Sequence, residues 1–277
     1  MEKYFTLEEK VRSLINKALF KTKPTQRDTA LRLLSNALEQ AEMISETATK
    51  AYYFNDIASA YAELGLEEKC LEILERASEL LQPISYEGWK SMELSRLGRN
   101  YARIGLANRG LEFLNQAFQI AKVVEDLDER DFSLCDVGYA YGEMGLNDLA
   151  IEAANLIYDK FRAGLRIFEP LVQDYISLAQ HEQVLKLIEA SEDIGETWVI
   201  TRAIERYANV GDYEHPLEFV EIVKSSESKT LVLADLAKAH LKAGNLETAL
   251  KLRSQAIAIA ETIKDKKERD FWIDYID

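Results

Sequence analysis

Apolar residues return every three or four positions through most of the chain, and each such run is closed by a glycine. Leu94, Leu97, Tyr101 and Ile104 form one stripe of this kind, the pattern of a helix with one buried side, and Gly105 follows at once. The closing stretch is written three times, as Tyr61-Ala62-Glu63-Leu64-Gly65-Leu66, Tyr101-Ala102-Arg103-Ile104-Gly105-Leu106 and Tyr141-Gly142-Glu143-Met144-Gly145-Leu146. Its glycines lie forty residues apart. Looser copies follow at Tyr207-Ala208-Asn209-Val210-Gly211 and His240-Leu241-Lys242-Ala243-Gly244, and a weak one turns at Ala179. A glycine in this place predicts a left-handed residue that closes a helix, with the following leucine folding back on the last turn. A second helix then starts almost at once, with Asp212 and Asn245 placed as N-caps. The predicted unit is an antiparallel helical hairpin.

Small residues set how closely the two helices approach. Ala58, Gly98, Gly138 and Ala237 stand seven before the turn glycines, and Cys70, Gly110, Ala150 and Ala249 stand five after. Backbones can meet where side chains are this small, and larger neighbours fill the remaining space. Glycine inside a helix costs about 0.5–1 kcal/mol against alanine, so Gly98, Gly110 and Gly138 point to close contact.

A small residue, a tyrosine three on, a glycine four further, an alanine five further and another seven beyond make a signature that resembles the tetratricopeptide repeat. Leu233, Leu236, Ala237, Gly244, Ala249 and Ala256 match it best, with His240 in the tyrosine place. The usual period is about 34 residues, so the forty-residue copies are elongated variants. The resemblance implies an all-α, right-handed superhelical solenoid of six to seven hairpins with a C-terminal capping helix. It also implies first helices lining a concave groove that takes a peptide or a partner's helix.

Within one repeat domain over 1–277 the sequence predicts four stretches. Residues 1–48 form a degenerate hairpin broken at Pro24-Thr25, and 49–164 hold three regular repeats. Residues 165–228 are irregular, and 229–277 hold the last repeat and a lone closing helix. The first helices of the regular repeats fall near 50–64, 88–104 and 129–144, and the second near 67–82, 107–125 and 147–163. Pro170 stands where a first helix should be under way, so that helix is expected to start late, near 170. Pro216 fits the first turn of a second helix.

Charge narrows the partners. The chain carries 34 basic and 48 acidic residues, net −14, and the middle third holds 8 basic against 18 acidic. Such a surface argues against duplex nucleic acid, which needs a basic footprint. No apolar run approaches eighteen residues, so no membrane span is expected, and the first ten residues lack the apolar core of a signal peptide. Cys70 and Cys135 lie in different repeats, which fits reduced thiols and a cytoplasmic setting.

No catalytic set, phosphate loop or metal-ligand spacing is found, and no cofactor is expected. His181, His215 and His240 share no spacing with either cysteine. Binding is left as the expected function. Aligning the repeats puts Tyr52, Asn55, Ser95, Arg99, Tyr139, Arg166 and Trp198 on the groove side of first helices. Offsets of forty suggest charge ladders Asp56–Arg96–Asp136 and Glu63–Arg103–Glu143, and Arg202 with Asp235 as a further pair. Arg99 has Ser59 and Tyr139 at its level and so is expected to await a partner carboxylate. The leading expectation is a non-enzymatic protein-binding scaffold. Self-assembly through the aromatic end Phe271-Trp272-Ile273-Asp274-Tyr275-Ile276 is a second, and a helical-repeat enzyme subunit resembling a prenyltransferase α-subunit is a third.

Overall fold

The computed structural model describes residues 6–20, 26–195 and 197–276; the Pro24-Thr25 break lies outside them. Every regular element among the described residues is helical. The chain divides into two compact units, Met1–Met144 and Gly145–Asp277.

The first unit holds α1 (Leu7–Leu19), α2 (Arg27–Glu42), α3 (Thr47–Glu63), α4 (Glu67–Leu81), α5 (Glu87–Arg103), α6 (Ala107–Ala121) and α7 (Leu127–Glu143). Consecutive helices pair as hairpins, α1 with α2, α3 with α4 and α5 with α6, and the first helices α3, α5 and α7 lie side by side. Three of the four first helices open on side-chain caps: Thr6 and Glu9 form a reciprocal capping box on α1, Glu46 caps α3 and Asp126 caps α7, while α5 starts at Tyr86 without one. At Gly65 and Gly105 φ is +68° and +81°, and the N–H of the next leucine reaches back to the carbonyl of Tyr61 or Tyr101 at 3.0 Å. That closure is the one the sequence predicts.

Helices cross closely at Gly98 and Gly110. A Cβ on Gly98 would lie 2.7 Å from the Gly110 carbonyl oxygen, and one on Gly110 would lie 2.5 Å from the Gly98 oxygen. Leu114, Ala117, Leu94, Leu97 and Tyr101 are buried around this contact. Cys70 packs at the equivalent crossing one repeat earlier, and burial pushes its thiol up to about 12.

The second unit holds α8 (Asn147–Leu156), α9 (Lys160–Ala163), a π turn (Gly164–Phe168), α10 (Glu169–Ser177) and α11 (His181–Asp193). It continues through α12 (Trp198–Asn209), a 3-10 turn (His215–Glu218) and α13 (Phe219–Ile222) to α14 (Ser226–Lys242), α15 (Leu246–Ala260) and α16 (Lys266–Ile276). Two expectations fail here. The helix predicted over 147–163 stops at Leu156, because Ile157 turns extended and Asp159 caps a new start by accepting from the Arg162 N–H. The helix expected to begin near 170 therefore runs from Lys160. It passes Pro170 by widening one turn: the Glu169 N–H bonds the Gly164 carbonyl five residues back. The missing proline N–H and the ring's bulk are absorbed where the ladder is already offset.

Ala179 does turn left-handed, with φ +54°, and the Gln180 N–H closes on the Tyr175 carbonyl at 2.8 Å. Pro216 opens the 3-10 turn, as its fixed φ suits. Asp212 caps that turn, accepting from the Glu214 and His215 N–H groups at 3.1 Å. Asn245 occupies the N-cap position of α15 without capping it; its amide lies 3.4 Å from His240 Nδ1 instead.

Candidate partner-binding site

The first-helix face of the first unit is built from residues that bridge repeats. Asn55 on α3 is fully buried, and its amide donates to the Glu93 backbone oxygen at 3.2 Å and to Glu93 Oε2 at 2.9 Å. Asn100 donates to the Asn55 carbonyl at 3.1 Å. Ser95 is also buried. Asn55 is thus part of the joint between α3 and α5, and Ser95 lies buried on α5 rather than open to a partner. Glu93 feels opposed effects. The Asn55 amide and Arg96 Nη1 at 3.0 Å favour its ionised form, while burial and the nearby Asp136 disfavour it. Burial prevails and pushes the carboxyl up to about 7.

Arg96 bonds Asp56 as the ladder predicts, and its guanidinium lies 4.5 Å over the half-buried ring of Tyr52. The other ladder forms in part: Arg103 meets Glu143 at 3.4 Å, but its other contact is the Ser59 hydroxyl at 3.1 Å rather than Glu63. Arg99, expected to be unpaired, is held by Glu143. The reason is reach. Contacts between neighbouring first helices run at sequence separations of 44 and 45 as well as 40, one period plus one helical turn, as in Arg99 to Glu143 and Ser133 to Gly88. A long guanidinium spans that turn.

What results is a cluster rather than a lone cation. Arg99 and Arg103 share Glu143, and Arg99 stands 4.9 Å over the ring of Tyr139. The Arg99 and Glu143 side chains are 26% and 24% exposed, so solvent reaches both. They line an open hollow of about 260 Å³ with Ala102, Ala107 and Met144.

The remaining predicted residues lie in the second unit. Arg166 sits exposed in the π turn, and half-buried Trp198 packs its ring 5.5 Å from that of Phe161. The pairing of Arg202 with Asp235 does not form. Arg202 faces Glu205 at 2.9 Å, with Glu169 at 3.9 Å. Asp235 is buried and accepts instead from the Thr201 hydroxyl at 2.6 Å and the Tyr275 hydroxyl at 2.7 Å. Tyr275 ties α16 down further, because Lys238 Nζ donates to its backbone oxygen at 2.8 Å. The repeat alignment does not point to Glu93 as a partner of Asn55 and Arg96, and it assigns Glu143 to Arg103 alone, although Glu143 stands within one turn of Arg99's level.

No group of three or more side chains placed to hold a metal occurs among the described residues, and no described helix is long and apolar enough to cross a membrane. No protein-family model and no curated protein matches this sequence. Among solved structures, Ton1535 from Thermococcus onnurineus NA1 is similar at a TM-score of 0.50 and 16% identity, over 99% of this chain and 92% of that one. A STAND protein with a tetratricopeptide repeat sensor, PH0952 from Pyrococcus horikoshii, gives a TM-score of 0.42 at 17% identity, over 96% of this chain and 44% of that one. The likeness in fold rests on the first of these. With its glycine-closed hairpins and small residues at the crossings, the chain has an all-α fold of tetratricopeptide-like repeats.

Proposed function

We propose that the protein is a non-enzymatic scaffold that holds a segment of a partner protein against the first-helix face of its first unit. The observation that carries this reading is the Arg99–Glu143–Arg103 cluster, its Arg99 and Glu143 side chains about three-quarters buried and Arg103 more exposed, open to a hollow with Tyr139 beneath Arg99. Glu143 keeps two guanidinium groups in place, and a partner carboxylate of the same shape can take over its bonds. One carboxylate replacing another gains little by itself, so the affinity comes from apolar anchors near the cluster and from the ordering already done. The charge of −14 favours a protein partner over nucleic acid.

Capture from native extract with wild type and Arg99→Glu tests the reading. The variant places a second carboxylate beside Glu143 and is expected to lose the partner. Unchanged recovery would remove Arg99 from the site. Self-association is the second reading, favoured by Phe271, which is 59% exposed with Trp272 at 5.2 Å. A monomer by light scattering at high concentration would set it aside.

A further inference from the structure

We propose that a second hollow of the first unit, walled by Tyr52, Tyr53, Tyr86 and Trp89, binds the ammonium group of a lysine or methylated lysine on the partner segment. That the carrier is a protein segment rests on the proposed function; the preference for a cation does not.

The hollow measures about 490 Å³ and lies where the N-terminal ends of α1, α3 and α5 come together. That volume suits a side chain with its flanking backbone. Helix N-termini ordinarily invite anions. Here that offer is closed. The Ala48 and Thr49 N–H groups of α3 are taken by Glu46, the first at 3.0 Å, and the capping box of Thr6 and Glu9 closes α1. The caps bring negative charge to the rim instead. Glu46 and Glu8 line the hollow, and hydrogen bonds hold both carboxyls below the usual carboxylate range. Those bonds come from the Thr49 side chain and backbone for Glu46, and from the Glu8 backbone and the Thr6 side chain for Glu8. Arg12 also lines the hollow, one turn on from Glu8, which leaves the rim one charge negative.

Three of the four aromatic walls, Tyr52, Tyr53 and Tyr86, are held by neighbouring groups. The Tyr86 hydroxyl donates to Glu129 Oε1. Glu129 in turn packs on buried Gly88, where a Cβ would come within 3.2 Å of its Oε2. The Ser133 hydroxyl donates to the Gly88 carbonyl at 3.1 Å, so the start of α5 is held to α7. Tyr52 and Tyr53 meet edge to face at 5.1 Å. Preset rings over a negatively charged rim are the arrangement that attracts an organic cation, through the negative face of each ring. Tyr52 already carries one such cation, the Arg96 guanidinium.

The test uses the full chain and nuclear magnetic resonance of the Trp89 indole and Tyr86 amide. Four probes are titrated: choline, its uncharged isostere 3,3-dimethylbutan-1-ol, blocked lysine and blocked trimethyllysine. Choline and blocked trimethyllysine are expected to shift both signals to saturation, with the isostere at least about fivefold weaker. Trp89→Ala is expected to weaken choline by a similar factor; should that variant fail to fold, Glu8→Lys, which leaves the walls intact, is expected to do the same. Equal binding of the isostere would overturn the preference for a cation. Choline bound while blocked trimethyllysine is refused would overturn the side-chain carrier. A chain that ignores all four probes yet captures its partner through Arg99 would end this inference and leave the proposed function standing.

Discussion

Tyr101 and Tyr175 hold the same place in their repeats but end differently. The motif tyrosine reaches back to the second helix of the preceding hairpin: Tyr61 to Ser35 at 3.4 Å, Tyr141 to Asn115 at 2.8 Å, Tyr175 to Asn147 at 2.6 Å and Tyr207 to His181 at 2.7 Å. The Tyr101 hydroxyl is buried without a hydrogen-bond partner among the described residues. Removing a hydroxyl that makes no bond is near neutral, whereas stranding a buried acceptor costs about 1–3 kcal/mol. Urea unfolding should therefore find Tyr101→Phe within about 0.5 kcal/mol of wild type, and Tyr175→Phe lower by at least about 1 kcal/mol. Equal losses would show that ring packing, not the hydroxyl, sets both. Glu93 gives a pH dependence. Its folded pKa, about 7, lies above the usual carboxylate value, so its contribution is full at low pH and is lost as pH rises toward and through 7. The difference corresponds to a loss on the order of 2–3 kcal/mol between pH 5 and 8. Glu93→Gln, neutral throughout, should flatten that fall; a parallel curve would show that other groups cause it.

At the scale of the element, the turn decides the repeat. The sequence makes the turns legible because a left-handed residue leaves a signature, glycine after an apolar stripe. Ala179 is the costly exception, a Cβ at φ +54°, and Ala179→Gly should stabilise the chain by about 1 kcal/mol. Gly98→Ala should do the reverse and cost about 2 kcal/mol or more, because its Cβ would meet a backbone carbonyl that cannot turn aside. Thermal melts of the two variants check both signs. Two things were not legible. The π turn before Pro170 depends on how the ladder shifts, and no residue type announces that shift. The pairing of Arg99 with Glu143 depends on long side chains crossing one turn beyond the repeat offset, which alignment by period cannot see. Asn55 and Ser95 lie on first helices, as the repeat alignment expects, but both are buried, because neighbouring first helices cover part of the face that the repeat pattern assigns to a groove.

At the scale of the molecule, packing helical hairpins within each of the two units buries each apolar stripe against the next and leaves the first-helix face to carry what is specific to this chain. In the first unit that face offers two features of opposite preference. The Arg99–Arg103 cluster suits an acidic side chain, and the aromatic hollow with Glu8 and Glu46 suits a basic one. A partner segment carrying both charges would be held at two points, which sets its direction as well as its affinity. The most direct measurement of the central claim is the affinity of the captured partner for wild type and for Glu143→Gln at low ionic strength. If Glu143 stands where a partner carboxylate binds, removing its charge frees Arg99 and Arg103, and binding should tighten by about threefold to tenfold, with the gain fading in high salt. Unchanged or weaker binding would contradict the account.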